Sequence, residues 1–144
     1  MAIPDFTIEG ILPMGIYDAS LNNIKEKFCS IGDVSKRNKL YNIFIRYLEC
    51  LKKHKVEFEV YLDGSFVTNK VEPGDIDVLL FYDNEYYNDK WEELIFDDLV
   101  RIKFPGIHVL SAFLESDGKD FTLDFAHDVS DKPGLRKGLI RVIL

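Results

Sequence analysis

Two short strand-forming runs, separated by a connection that opens on glycine, constrain this chain more than any other feature. Val56-Glu57-Phe58-Glu59-Val60-Tyr61-Leu62 alternates at period two, the pattern of a strand with one face buried. Val56, Phe58, Val60 and Leu62 are its inward positions. Residues 75–82 read as a second strand. Side chains two apart in a strand share a face. Asp75 and Asp77 therefore point the same way at its start, and Ile76, Val78 and Leu80 point into the core.

The other elements fill in around this pair. The clearest helix covers about residues 35–54, where Leu40, Ile43, Phe44, Tyr47, Leu48 and Leu51 make one buried stripe. Lys36, Arg37, Lys39, Arg46, Lys52 and Lys53 are expected mostly on its solvated side. Ser20 is the expected N-cap of a short helix reaching about Phe28, and Gly32 then breaks the chain. A further helix is expected over residues 90–103, with Trp91, Leu94, Ile95, Leu99 and Ile102 as its apolar stripe. Pro105-Gly106 ends it. Residues 107–114 read as a third strand, and Ser116-Asp117-Gly118 has turn chemistry. Residues 120–127 fit either a strand or a short helix. Residues 139–144 read as a last strand or extended segment, its edge guarded by Lys137 and Arg141. Residues 1–16 read as an extended arm, because Pro4 and Pro13 oppose helix. Ile8, Ile11 and Leu12 are its candidates to lie on the body. The order predicts one α+β domain over residues 1–144, a small, twisted, mixed sheet covered by helices.

Composition narrows the function classes. The 144 residues include 18 basic and 25 acidic ones, a net charge of −7. That length suits one packed core. Apolar residues at 47% and aromatic residues at 13% exclude a disordered or fibrous chain. The acidic balance argues against a general binder of nucleic acid or anionic membrane, which needs a positive field. It permits a single phosphate held locally with a metal ion. No apolar run approaches the ~20 residues that span a bilayer. Asp5 and Glu9 interrupt any signal-peptide core. A cytoplasmic protein with no membrane partner is therefore expected. Cys29 and Cys50 are too few for a disulfide framework and lack metal-ligand spacing, so both are expected to be reduced and buried.

The chemistry concentrates in Leu62-Asp63-Gly64-Ser65-Phe66-Val67-Thr68-Asn69-Lys70-Val71-Glu72-Pro73-Gly74-Asp75-Ile76-Asp77-Val78-Leu79-Leu80. Gly64 permits a tight turn and close approach of a ligand. Ser65 adds a small hydroxyl beside exposed N–H groups. A helical turn starting within residues 66–70 would make those N–H groups an anion site suited to phosphate. Asp75 and Asp77 repel one another and call for a counter-charge. Mg²⁺ takes hard oxygen ligands and is commonly shared between carboxylates and substrate phosphates. The two halves together suit a nucleoside triphosphate with Mg²⁺. The plain alternative is that the two acids merely protect an exposed strand end from aggregation.

Gly64-Ser65, nine intervening residues and Asp75-Ile76-Asp77 resemble the signature of the DNA polymerase β-like nucleotidyltransferase superfamily. The short chain is similar to the minimal members of that group. A closer resemblance, to short bacterial nucleotidyltransferase-like proteins, extends over most of the chain. It runs through Leu12-Pro13-x-Gly15, Leu62-Asp63-Gly64-Ser65-Phe66-Val67-Thr68, Pro73-Gly74-Asp75-Ile76-Asp77 and Lys137-Gly138-Leu139-Ile140. The resemblance implies the polymerase β-like nucleotidyltransferase fold. It also implies transfer of a nucleoside monophosphate from a nucleoside triphosphate to an acceptor, releasing pyrophosphate. Asp75 and Asp77 would hold Mg²⁺. Gly64, Ser65 and the adjacent backbone would hold the β- and γ-phosphates, with Thr68 and Lys70 steadying the triphosphate. A solvated loop position is the alternative for Lys70. Two metals would stabilise the attacking and leaving oxygens, and catalysis would be mostly positioning and charge neutralisation. The acceptor would be a protein hydroxyl, an RNA end or a small molecule, with RNA least suited to an acidic chain. The minimal type also implies a place in a toxin–antitoxin or defence system, with modification of a partner protein.

One departure stands out. Active members of the superfamily use a third carboxylate from a later strand, and Ile107-His108-Val109-Leu110-Ser111-Ala112-Phe113-Leu114 has none. Asp124, in Phe121-Thr122-Leu123-Asp124-Phe125, is the candidate third acid, catalytic and metal-ligating with Asp75 and Asp77. If its segment is helical, Asp124 is a surface residue instead. His108 or Ser111 is an alternative replacement, and so is a degenerate site. The last would make the chain a non-catalytic binding module, antitoxin-like or regulatory. Elsewhere, His54 is expected to cap a helix C-terminus, His127 and Asp128 to form a solvated pair, and Trp91 to lie in the core. Asp83, Asn84, Glu85, Asn88 and Asp89 lack the spacing of a Ca²⁺ loop. Residues 81–87 are a candidate interface for a homo-oligomeric scaffold.

Overall fold

Side-chain caps set the first two helices. In the computed structural model, which describes residues 3–83, 85, 88–129 and 132–144, strand β1 (Ile16–Ser20) runs straight into helix α1 (Leu21–Phe28). The Ser20 hydroxyl accepts a hydrogen bond from Asn23 N–H at 3.1 Å, as expected of an N-cap. β1 itself was not expected, so the irregular arm ends at residue 15. Ile11 and Leu12 are buried on the body, whereas Ile8 is fully exposed. Asp33 caps α2 (Val34–Lys52), accepting from Lys36 N–H at 3.0 Å. All six residues of its anticipated apolar stripe are buried.

The remaining strands are β2 (Phe58–Asp63), β3 (Ile76–Tyr82), β4 (Ile107–Phe113) and β5 (Leu139–Ile143). They form a five-stranded mixed sheet in the order β1-β5-β2-β3-β4. β2 pairs antiparallel with β3 and with β5, while β3–β4 and β1–β5 are parallel. With five helices, the described residues make a mixed α+β fold. The last strand is thus interior, and Lys137 and Arg141 guard no edge. Arg141 instead binds the Asp18 carboxylate on β1 through Nε at 2.8 Å and Nη2 at 2.9 Å.

The sheet is buried on both faces, but unequally. Val60, Leu62, Ile76, Val78, Leu80, Ile107, Ile140 and Val142 join the main core with α1, α2, α3 (Asp89–Ile95) and α4 (Asp97–Lys103). On the other face Tyr61, Leu79, Phe81 and Leu139 form a smaller cluster under Ala126 and Leu123 of α5 (Asp117–Ala126). Ser116 caps α5 by accepting from Lys119 N–H, so Ser116-Asp117-Gly118 starts a helix rather than making a turn. The helix expected over residues 90–103 is two helices, broken at an extended Phe96. One non-helical residue changes the phase of a 3.6-residue repeat. Val100 and Phe104 are therefore buried, while Leu99 and Ile102 are exposed.

Arg37 overturns its expected place on the solvated side of α2. It lies on the apolar stripe, three residues before Leu40 and seven before Phe44, and is fully buried. Nη1 donates to the carbonyls of Phe28 at 3.0 Å and Phe66 at 2.8 Å. Nη2 donates to the carbonyls of Thr68 at 2.8 Å and of Lys70. Among the described residues no carboxylate pairs with it. Replacing it leaves buried acceptors without a donor, each at a cost of about 1–3 kcal/mol. Arg37→Met is expected to lower the urea-unfolding free energy by at least about 3 kcal/mol. A loss below about 1 kcal/mol would mean that water satisfies these carbonyls unaided.

Candidate functional site

The site forms where β2 ends and β3 and β4 begin. Gly64 follows β2 at φ +78°, a conformation that L side chains rarely adopt. A Cβ at this position would lie 2.3 Å from Asp77 Oδ2. Gly64 therefore both makes the bend and lets the Asp77 carboxylate sit against the main chain. Ser65–Val67 form a single 3₁₀ turn. Thr68 then donates to the Ser65 carbonyl from its N–H at 3.1 Å and from its hydroxyl at 2.7 Å. The same hydroxyl accepts from Lys70 N–H at 3.2 Å, so Thr68 is engaged in holding the loop. Arg37 ties the loop down from the core side, and Asn69 N–H donates to the Gly10 carbonyl at 2.9 Å.

Strand register assembles the charged groups. Asp63 stands opposite Asp77 across β2–β3, and His108 is the partner of Asp77 across β3–β4. His108 Nε2 lies 3.3 Å from Asp75 Oδ2, and its Nδ1 lies 3.9 Å from Asp97 Oδ2. Lys137 is buried, forms an ion pair with Asp63 and donates to the Ala126 carbonyl at 3.1 Å. The Lys137 carbonyl in turn lies 2.7 Å from His127 Nδ1. A carbonyl only accepts, so that nitrogen carries the proton. His127 is accordingly buried, not the half of a solvated pair. Asp77 accepts no hydrogen bond and forms no ion pair among the described residues. Burial raises its pKa first, the charges of Asp75 and Asp63 add to this, and His108 and Lys137 offset part of it; the result is about 6.

Asp63, Asp75, Asp77, Asp97, His108 and Lys137 line a pocket of about 750 Å³. Six expected site residues meet in it: Gly64, Ser65, Thr68, Lys70, Asp75 and Asp77. Asp124 does not. Its segment is helical, and its exposed carboxylate accepts from Arg136 Nη2 at 2.8 Å. The carboxylate that strand register sets directly opposite Asp77 is Asp63, from β2; Glu9, Asp97 and Asp128 also line the pocket. The alternation of Asp63 with Tyr61 on one face of the strand was the available signal. Ser111 lies on the opposite sheet face and donates to the Ile95 carbonyl at 3.3 Å. His108, named from the sequence as an alternative replacement, does line the pocket, as does Lys137, which the sequence reading did not place there; Arg37 holds the loop from behind it.

Other expectations are resolved away from the pocket. Trp91 is fully buried, and the His54 ring lies 5.2 Å from it. Cys29 is buried and Cys50 half-buried, both as free thiols. Asn84, Tyr86 and Tyr87, the centre of the aromatic stretch considered as an interface, lie outside the described residues.

The profile of DUF6932, a family of unknown function, matches residues 4–143. The chain belongs to this family. No curated protein and no solved structure matches it. Among the described residues of this DUF6932 member, no helix is long and apolar enough to cross a membrane. Nor does any group of three or more His, Cys, Asp or Glu form a ready metal cage. Mg²⁺, however, is commonly bound by one or two carboxylates, with substrate phosphates completing its shell. The partnerless Asp77 carboxylate beside Asp75 fits that donor set.

The raised Asp77 pKa has a signed consequence for stability. The folded state holds this proton more tightly than the unfolded chain, so ionisation destabilises the fold as pH rises from about 4 to about 6. The gap between the ordinary 3.8 and about 6 corresponds to at most about 3 kcal/mol. In chelator, Asp77→Asn is expected to be about 1–3 kcal/mol more stable than wild type at pH 7.5. That advantage should shrink toward zero as pH approaches 4. Urea unfolding at several pH values measures it, and a pH-independent difference would count against the assignment.

Proposed function

We propose that this chain is an Mg²⁺-dependent nucleotidyltransferase of the DNA polymerase β-like type. It would move a nucleoside monophosphate from a nucleoside triphosphate to an acceptor on a protein, an RNA end or a small molecule. The observation that carries this reading is the contact between the two halves of the motif. The glycine of Gly64-Ser65 is needed where the second acid of Asp75-Ile76-Asp77 is seated. Both halves face one pocket large enough for a nucleotide. The antiparallel β2–β3 pair within a five-stranded mixed sheet is in keeping with that fold type.

Asp75 and Asp77 would hold the metal. When bound, the metal supplies charge neutralisation for the phosphate oxygens and for the attacking and leaving oxygens. Ser65, whose hydroxyl makes no hydrogen bond among the described residues, and the N–H groups of the 3₁₀ turn would receive the β- and γ-phosphates. Lys70 and Lys132 line the same pocket and would offset the charge of the polyphosphate tail. Asp63 takes the place expected for Asp124 as the third carboxylate, with Lys137 balancing its charge. A partner protein as acceptor, in a toxin–antitoxin or defence setting, rests on the resemblance alone. The acidic net charge makes RNA the weakest choice.

A second reading, a nucleotide-binding module without transfer, is favoured by two specific contacts. His108 is engaged with Asp75, and Lys137 with Asp63. One assay separates the two: Mg²⁺, nucleoside triphosphates labelled at the α-phosphate, the purified protein and a cell extract supplying acceptors. Transfer of label is expected with wild type and with Asp124→Ala. The Asp75→Ala/Asp77→Ala double variant is expected to lose at least about 100-fold. Nucleotide binding with no labelled product would leave the binding module. Equal transfer by the double variant would overturn the catalytic assignment.

A further inference from the structure

The pocket has two chemically distinct ends. One is the cluster of acids and lysines around Asp77. The other carries exposed apolar side chains, in a wall that also includes Thr122 and Asp128. Leu110 on β4 is 53% exposed and Phe125 on α5 is 65% exposed, yet both line the same pocket as Asp77. Strand register places one end relative to the other. Asp77 and Leu79 share a face of β3, as do His108 and Leu110 on β4. Leu79 pairs with Leu110 one two-residue step beyond the pair Asp77 and His108. Such a step spans roughly 7 Å. Leu79 is itself covered by Ala126 and Leu123 of α5, which leaves Phe125, next in the helix, at the open edge of the cavity. Two large apolar side chains exposed inside one pocket gain free energy when an apolar partner covers them.

We infer that this end is a nucleobase subsite, with the base stacked on the Phe125 ring and resting against Leu110. The inference depends on the nucleotide reading above and extends it to a specific residue. The occupant follows from the order of chemistries along the sheet face. Hard-oxygen and cationic groups at Asp75, Asp77 and Lys70 come first, then, about 7 Å on, a flat apolar surface. A nucleotide presents phosphate, sugar and base in that order. Stacking on an aromatic ring is available to every base, because each has a π face. Phe125 therefore supplies affinity and little preference among bases.

The test is calorimetric binding, in Mg²⁺, of ATP, CTP and inorganic tripolyphosphate, which lacks sugar and base. Phe125 is largely exposed, so the variants are expected to fold as wild type does. Phe125→Ala is expected to weaken ATP and CTP by about 5- to 100-fold while leaving tripolyphosphate unchanged. Phe125→Trp is expected to retain nucleotide affinity. Unchanged nucleotide binding in Phe125→Ala, or an equal loss for tripolyphosphate, overturns the base subsite while the phosphate site stands. If wild type binds neither nucleotides nor tripolyphosphate, the subsite and the reading beneath it fall together.

Discussion

Main-chain carbonyls from α1 and from the loop after β2 converge on one buried guanidinium. Arg37 donates to the carbonyl of Phe28 on one side and to those of Phe66, Thr68 and Lys70 on the other, so a helix end and the pocket loop are held by a single side chain. A buried cation is ordinarily tolerated only with partners that compensate its lost hydration. Here carbonyl dipoles take that part, with the Phe66 ring 5.4 Å from the guanidinium carbon. The loop therefore cannot shift without stranding a charge. That stiffness matters for a wall that would have to present N–H groups to a polyanion without reorganising when it arrives.

On the opposite wall the electrostatics run the other way. Asp63, Asp75 and Asp77 are brought together by strand register, an arrangement the sheet enforces whatever the charges prefer. Lys137 pairs with Asp63, and the His108 ring lies against Asp75. Asp77 is left seated against Gly64 with no such partner. The Asp77 charge is thus left outstanding by these pairings, while Glu9, Asp97 and Asp128 add to the negative lining and Lys70 and Lys132 offset it.

How far the sequence foretold this depended on whether the deciding forces were local. The stripe from Leu40 to Leu51 and the alternation from Val56 to Leu62 are short-range patterns, and they yielded α2 and β2. The motif put Gly64 and Asp77 at one site, but their direct contact comes from the β2–β3 register, which pairs Asp63 with Asp77. Arg37 was misjudged because a charge on a helix is usually solvated, although its spacing to Leu40 and Phe44 placed it on the buried stripe. The break at Phe96 has a tertiary cause invisible to periodicity. Asp97, freed to start a new helix, accepts from Val109 N–H at 2.9 Å on the edge strand. β1 is five residues long and has no strong pattern of its own; β5 stabilises it from far along the chain. Asp124 went astray because its short segment fitted two periods, and the helical one turned its carboxylate to solvent.

That distant pairing has a consequence for how the molecule comes into being. Asp18 and Arg141, joined across β1 and β5, are separated by 123 positions, and β5 is wedged between β1 and β2. No nascent chain that stops short of residue 139 can close the sheet, and Lys137, which balances Asp63, arrives only just before. Topologies dominated by such remote pairings fold slowly. The pocket is therefore complete only once β5 has been made, and a chain that stops before it carries the acidic motif without the strand that joins β1 to β2.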